Sequence, residues 1–401
     1  MVVRAGRTVV SKEQPGLFPR LVRDGDENSH LGTGILPYQM IGELVRSRVI
    51  MAVPDIAADQ IQPASIDLRL GRHAYRVRAS FLPGRDATMA EKIEQMDGLP
   101  PLDLSGGAVL EKGCVYVIPL LEHVKLLNDT IGIANPKSST GRLDVLTRLI
   151  TDRGSAFDKI PVGYEGKLYI EVAPSTFSIV VCEGSRLNQL RFQRGNPRLS
   201  KETLSRLYED GQIIRMDDGQ RRPIQNDYLI PVTIDLRGSG RPGRTIGYRA
   251  KKHTEKIDID ALGKYDAEKF WERLEYQSDE TLILDPDEFY ILATREEVGV
   301  PPDLAAEMVP YYTSSGEYRV HYAGFFDPGF GWQGKASGSR AVLEVRSYVP
   351  FMLEHGQTVG WLHYMRMAAA PDRVYGTTIQ SSYQNQGLAL SKHFRPVTLG
   401  L

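Results

Sequence analysis

The pattern of apolar and polar positions divides the chain into short pieces. From Ile50 onward it runs in brief stretches rich in Val, Ile and Tyr, each closed by Gly, Pro, Asn or Asp. Apolar residues alternating with polar ones over such spans predict half-buried strands, and many strands punctuated by turn formers predict an all-β sandwich or barrel. Helical periodicity is rare. It predicts short amphipathic helices over Leu36 to Val49 and Ser200 to Asp210. It also predicts a solvated one inside the charged insertion Lys251 to Glu280, around DAEKFWERLEY. Residues 1–33 carry charge and glycine with no sustained period and read as an extended arm.

The same set of segments then occurs twice in the same order. QPASIDLRLG (62–71) is answered by IPVTIDLRGS (230–239), and VLEKGCVYVIP (109–119) by ILDPDEFYILA (283–293), with Tyr116 matching Tyr290. LNDTIGIANPKSS (127–139) is answered by PPDLAAEMVPYYT (301–313), and KIPVGYEGKLYIEV (159–172) by FFDPGFGW and SRAVLEV (339–345). VCEGSRLNQLRF (181–192) is answered by MLEHGQTVGWLHY (352–364). One repeated apolar run is common by chance; a whole series in register points to duplication. The expected layout is an arm over 1–33, a first barrel over 34–200, a linker over 201–227, a second barrel over 228–367 and a polar tail over 368–401.

A length of 401 residues agrees with two cores rather than one. Lys+Arg 49 against Asp+Glu 50 leaves no basic field for nucleic acid, so any anion site must be local. The opening MVVRAGRTVVSKEQPG lacks the apolar centre of a signal peptide, and no apolar run approaches the ~20 residues of a spanning helix. A cytoplasmic protein without membrane or nucleic-acid partners is expected. Cys114 and Cys182, far apart in strand-like runs, read as reduced packing residues. His253-Thr254-Glu255 has the H-x-E form of zinc deaminases, but no P-C-x-x-C follows to complete a metal site. Gly329 to Gly334 fits G-x-G-x-x-G but leads into a strand rather than a helix, so a tight turn explains it better.

PKSSTGR (136–142), the Gly-aromatic-x-Gly turn Gly163 to Gly166 and the strand ending in Glu171 together resemble the dCTP deaminase branch of the dUTPase superfamily. FFDPGFGW and VLEV in the second copy, and SSYQNQGLALS (381–391) in the tail, resemble that family's Asp-Pro-Gly turn, catalytic strand and phosphate-covering motif. The likeness is to the long, two-repeat bacterial form. It implies a mainly β fold of tandem duplicated, distorted dUTPase-like β-barrels with a few short helices. It also implies deamination of dCTP to dUTP and ammonia, with glutamate as base and acid and no zinc. Mg²⁺ would arrive on the substrate triphosphate. The family's sites lie between barrels, usually in trimers, so a homo-oligomer is compatible; dTTP, a common inhibitor in the family, leaves no signature here.

The residue chemistry agrees with that resemblance. Lys137, Ser138 and Ser139 offer a cation, hydroxyls and turn amides suited to a triphosphate, and Arg142 adds a guanidinium fork. Deamination at C4 needs a base for water and an acid for ammonia. One glutamate among apolar neighbours can serve as both, because burial moves its pKa towards neutrality. Glu171 and Glu344 occupy matching strand positions. By resemblance, Ser138 and Arg142 position the water.

The copies have decayed in complementary ways. The second has Tyr311 to Gly316 where the first has the phosphate motif, whereas Asp327-Pro328-Gly329 survives where the first has Pro161-Val162-Gly163. The expectation is that Lys137, Ser138, Ser139 and Arg142 face Asp327 and Glu344 across a barrel interface. Tyr383 and Gln386 would close over the phosphates, and Glu171 would belong to a decayed site. Two alternatives remain open: a dUTP pyrophosphatase or bifunctional enzyme, suggested by Tyr322 to Asp327, and an inactive nucleotide-binding regulator.

Overall fold

The computed structural model describes residues 32–96, 100–216, 219, 221–226, 228–238, 245–309, 318–321, 324–376 and 387–396. Strands dominate, as the period-two runs require. Thr130–Pro136 alternates buried and half-buried residues along its whole length.

Each half of the chain builds the same three sheets. In the first, Val115–Lys125 is flanked by His73–Val77 and Glu165–Pro174, and Val145–Thr151 lies beyond the latter. In the second, Tyr290–Val298 is flanked by Thr245–Ala250 and Arg340–Ser347, with Tyr318–His321 beyond. The facing sheets also correspond, Ile66–Leu68, Asn188–Arg194, Thr130–Pro136 and Lys159–Ile160 answering Leu229–Thr233, Thr358–Arg366, Leu304–Val309 and Phe325–Phe326.

Single side chains repeat their roles as well. The Tyr116 hydroxyl accepts from the Glu111 amide at 3.1 Å, and the Tyr290 hydroxyl from the Asp285 amide at 2.9 Å. Buried Glu122 accepts from the Arg69 amide, and buried Glu296 from the Thr233 amide, each at 2.8 Å. The fold is therefore mainly β, as tandem repeats demand.

Two stretches differ from the sequence reading. Helix Lys201–Glu209 lies where the helical period predicts one, but it and strand Ile214–Arg215, both within the span read as linker, send Leu204, Tyr208, Ile213 and Ile214 into the second core. They mirror helix Tyr38–Arg46 and strand Ile50–Ala52 of the first half, and each short strand joins its long central strand. The insertion carries no solvated helix of the expected length. Only Ala267–Phe270 is helical, and Trp271–Glu275 pairs as a strand with Thr245–Ala250. Its adjacent aromatics decide this: Phe270 and Trp271 pack edge-on against Phe177 of the first barrel, with ring centroids at 5.8 and 5.5 Å. Residues Ile257–Asp258 extend the first barrel's small sheet in parallel with Ile179–Val181. The insertion thus fastens the second barrel to the first.

Candidate active site

Pro136 ends its strand, Lys137 is extended, and Ser138–Gly141 form one helical turn, with the Arg142 amide donating to the Ser138 carbonyl at 3.0 Å. Leu143 and Asp144 are wholly buried behind it, so Arg142 is held from both sides. Lys137 forms an ion pair with Asp67 of the QPASIDLRLG strand.

On the second barrel, period-two alternation orients Glu344. Ala341, Leu343 and Val345 enter the second core, while Val342, on the same face as Glu344, packs with the first barrel's core. Glu344 therefore faces the first barrel. Its carboxylate lies 3.9 Å from the Arg142 Nε, both side chains being nearly inaccessible to water. Burial pushes the Glu344 carboxyl up to about 8, against the opposing pull of Arg142.

Asp327 also meets the first barrel. It pairs at 3.3 Å with Arg191, which is fully buried, donates to the Ala306 carbonyl at 3.1 Å and lies over the Phe325 ring. Burial raises the Asp327 carboxyl, while Arg191 and, more weakly, Lys137 pull it back. The phosphate-motif side chains of one barrel and the two carboxylates of the other thus share one interface.

Glu171 lies in a different setting. It shares a face with Val117 and Tyr169, and that face is covered by its own barrel through Phe81, Leu82, Met89 and Ile93. Arg148, opposite it in the sheet, donates to its carboxylate through Nε at 2.9 Å. At the corresponding position opposite Glu344 the chain has His321.

Tyr383 and Gln386 lie outside the described residues. The tail that follows them is tied to the phosphate motif. The Ser391 hydroxyl lies 2.8 Å from the Ser139 carbonyl, and Arg142 Nη1 donates to the Ala389 carbonyl at 3.0 Å. Buried His393 bridges Ser391 and the Ile259 carbonyl of the insertion, at 2.8 Å to each. Sequence reasoning missed Arg191, Arg148 and the Asp67 partner of Lys137. Only Asp67 left a signal, through its repeat counterpart Asp235, which pairs with Arg340.

Two family models match in tandem. One, described as the 2'-deoxycytidine 5'-triphosphate deaminase (DCD) N-terminal domain, covers residues 32–196, and the C-terminal domain of the same family covers 200–394. The crystal structure of 2'-deoxycytidine 5'-triphosphate deaminase from Agrobacterium tumefaciens is 50% identical with a TM-score of 0.79, over 85% of this chain and 100% of that one. Shorter relatives include the "dCTP deaminase, dUMP-forming" of Methanobrevibacter smithii, 29% identical over 44% of this chain and 84% of its own. The "dCTP deaminase" of Haloarcula marismortui is 27% identical over 35% of this chain and 67% of its own.

Proposed function

The chain belongs to the 2'-deoxycytidine 5'-triphosphate deaminase family, and from that premise we propose that it deaminates dCTP at one split site between its barrels, with Glu344 as base and acid. The carrying observation is the buried Glu344 carboxylate facing the Arg142 guanidinium at 3.9 Å. That separation exceeds a direct hydrogen bond and suits a bridging water. A carboxyl titrating near 8 can take a proton from water and return it within one cycle near neutral pH.

In the proposed cycle Glu344 accepts a water proton as the oxygen attacks C4 of cytosine. That proton goes to N3 of the ring, the remaining hydroxyl proton then passes by way of Glu344 to the amino nitrogen, the C4–N bond breaks, and dUTP and ammonia leave. Ser138 and Arg142 orient the water, and Arg142 stabilises the ionised carboxylate. Lys137, Ser138 and Ser139 bind the triphosphate, Asp327 closes the pocket with Arg191, and the tail carries Tyr383 and Gln386 over the phosphates. The dUTP formed would feed dUMP and dTTP synthesis.

A zinc-free route is supported by what stands beside Glu344: a permanent guanidinium cation, which disfavours a second cation there. Mg²⁺ would enter through the phosphates. Asp67 and Asp327 are each already held by a cation, Lys137 and Arg191, so phosphate oxygens would be the metal's main ligands and the ion would neutralise their charge.

A dUMP-forming reaction is the second reading, favoured by the printed names of several relatives. Asp327, in the turn that would serve pyrophosphate release, is instead engaged by Arg191, which supports dUTP as the end product. Incubation with dCTP, with ammonia assayed and dUTP separated from dUMP and pyrophosphate, decides between them. Absence of ammonia with tight nucleotide binding would replace both by a binding protein.

A further inference from the structure

A second charge pair crosses the same interface beside Arg142 and Glu344, with its signs reversed. Two residues beyond Arg142 stands Asp144, and two residues beyond Glu344 stands Arg346. Arg346 Nε donates to Asp144 Oδ2 at 2.8 Å. The Thr176 hydroxyl donates to the same oxygen at 2.6 Å and accepts from Arg346 Nη2 at 2.8 Å. Asp144 is wholly buried, and its carbonyl accepts from the Ser175 amide at 2.9 Å. Leu143 and Val345, between the members of each couple, are anchored in separate cores.

We propose that Asp144 and Arg346 are positioning residues that clamp the loop carrying Arg142 against the strand carrying Glu344. This rests on the reading of Glu344 as the working base. The repeat supplies an internal comparison: two residues beyond Glu171 the chain has Ala173, so the strand of the covered glutamate lacks the clamp. The pair therefore occurs where a carboxylate faces the other barrel.

The clamp acts in two ways. It fixes the approach of the guanidinium to the carboxylate, where a displacement of about 1 Å can cost on the order of a hundredfold in rate. It also neutralises Asp144, whose like charge otherwise opposes ionisation of Glu344. Among the described residues the charged groups near Glu344 are Arg142 and Asp144 from the first barrel and Arg346 on its own strand; the strand register puts position 321, a histidine, opposite it.

The test uses the full chain and the pH profile of kcat/KM for dCTP. Arg346→Met removes this cation from beside Asp144 and should move the inflection of the rising limb to higher pH by roughly half to one unit. Asp144→Asn, tolerated at its left-handed φ of 56°, should move it to lower pH. Both should lower kcat about 10- to 100-fold with little change in KM, and Arg346→Lys should restore the inflection but only part of kcat. A purely structural pair would lower thermal stability and leave both inflections at the wild-type position, which overturns the proposal. Glu344→Gln separates the failures: if it still turns over dCTP, the base assignment is wrong. If it is inactive while both pair variants keep wild-type profiles, only the clamp is wrong.

Discussion

Replacing each repeat glutamate by glutamine should separate activity from stability in opposite directions. With its carboxyl near 8, Glu344 is about nine-tenths protonated at pH 7. Glutamine closely copies the protonated acid without having to hold a proton, so Glu344→Gln should match wild type near pH 4.5 and be the more stable protein at pH 7, by up to about 3 kcal/mol. It removes the base, at a cost of about 10²- to 10⁴-fold in kcat. Glu171→Gln does the reverse. It strips one partner from a buried ion pair, a loss of about 3–5 kcal/mol when both groups are fully desolvated. The Arg148 side chain keeps 28% exposure, so water screens the stranded charge and about 1–3 kcal/mol is expected, lowering the midpoint by several degrees while most turnover survives. The pH dependence adds a signature. Between about 4.5 and 8 native Glu344 holds a proton that the unfolded chain has released, so wild-type stability falls as pH rises through that window. Glu344→Gln should abolish that part of the slope. Differential scanning fluorimetry from pH 5 to 9, with ammonia release measured on the same samples, reads all three effects. Full activity in Glu344→Gln, or inactivity in a folded Glu171→Gln, refutes the split site.

Since the base works ionised, wild-type kcat/KM should rise with pH and level off above about 8. Arg142→Met removes the charge that lowers the Glu344 pKa, so the inflection should move upward as the plateau drops. Ser391→Ala should free the tail from the Ser139 carbonyl and raise KM for dCTP about fivefold, the worth of one hydrogen bond near 1 kcal/mol, with kcat nearly retained. EDTA should suppress turnover and added Mg²⁺ restore it, whereas a zinc-selective chelator should have no effect; loss of activity to the latter would reject the zinc-free cycle.

What could be read from sequence follows a physical divide. Short-range signals were legible: period-two runs, turn formers, and repeated segments such as those holding Tyr116 and Tyr290, whose hydroxyls cap amides five residues upstream. Contacts between elements far apart in sequence were not. Nothing near Glu171 announces Arg148, which meets it only once the strands pair in register. Arg191 and Asp327, 136 residues apart, meet only when the barrels dock. The insertion misled because DAEKFWERLEY satisfies helical spacing locally. Burial of Phe270 and Trp271 beside Phe177 overrides that preference, since aromatic burial exceeds the small propensity differences at stake.

The unequal fates of the two glutamates follow from the cost of burying a charge. A carboxylate in an apolar strand must be neutralised by a proton or by a cation. Glu171, covered by its own barrel, is held in a direct ion pair with Arg148 inside its own sheet. Glu344 meets its guanidinium only across the barrel interface, at 3.9 Å, so compensation is partial and its proton affinity stays high. Duplication within one chain makes this division tolerable: the barrels no longer need to be identical, so one interface can keep an under-compensated carboxylate for chemistry while the equivalent strand position is neutralised for stability. On this account, placing an arginine at position 321, opposite Glu344 as Arg148 is opposite Glu171, should stabilise the fold at high pH and silence the enzyme together. A His321→Arg variant that keeps its activity would show that the neutralising arginine is not what separates the two sites.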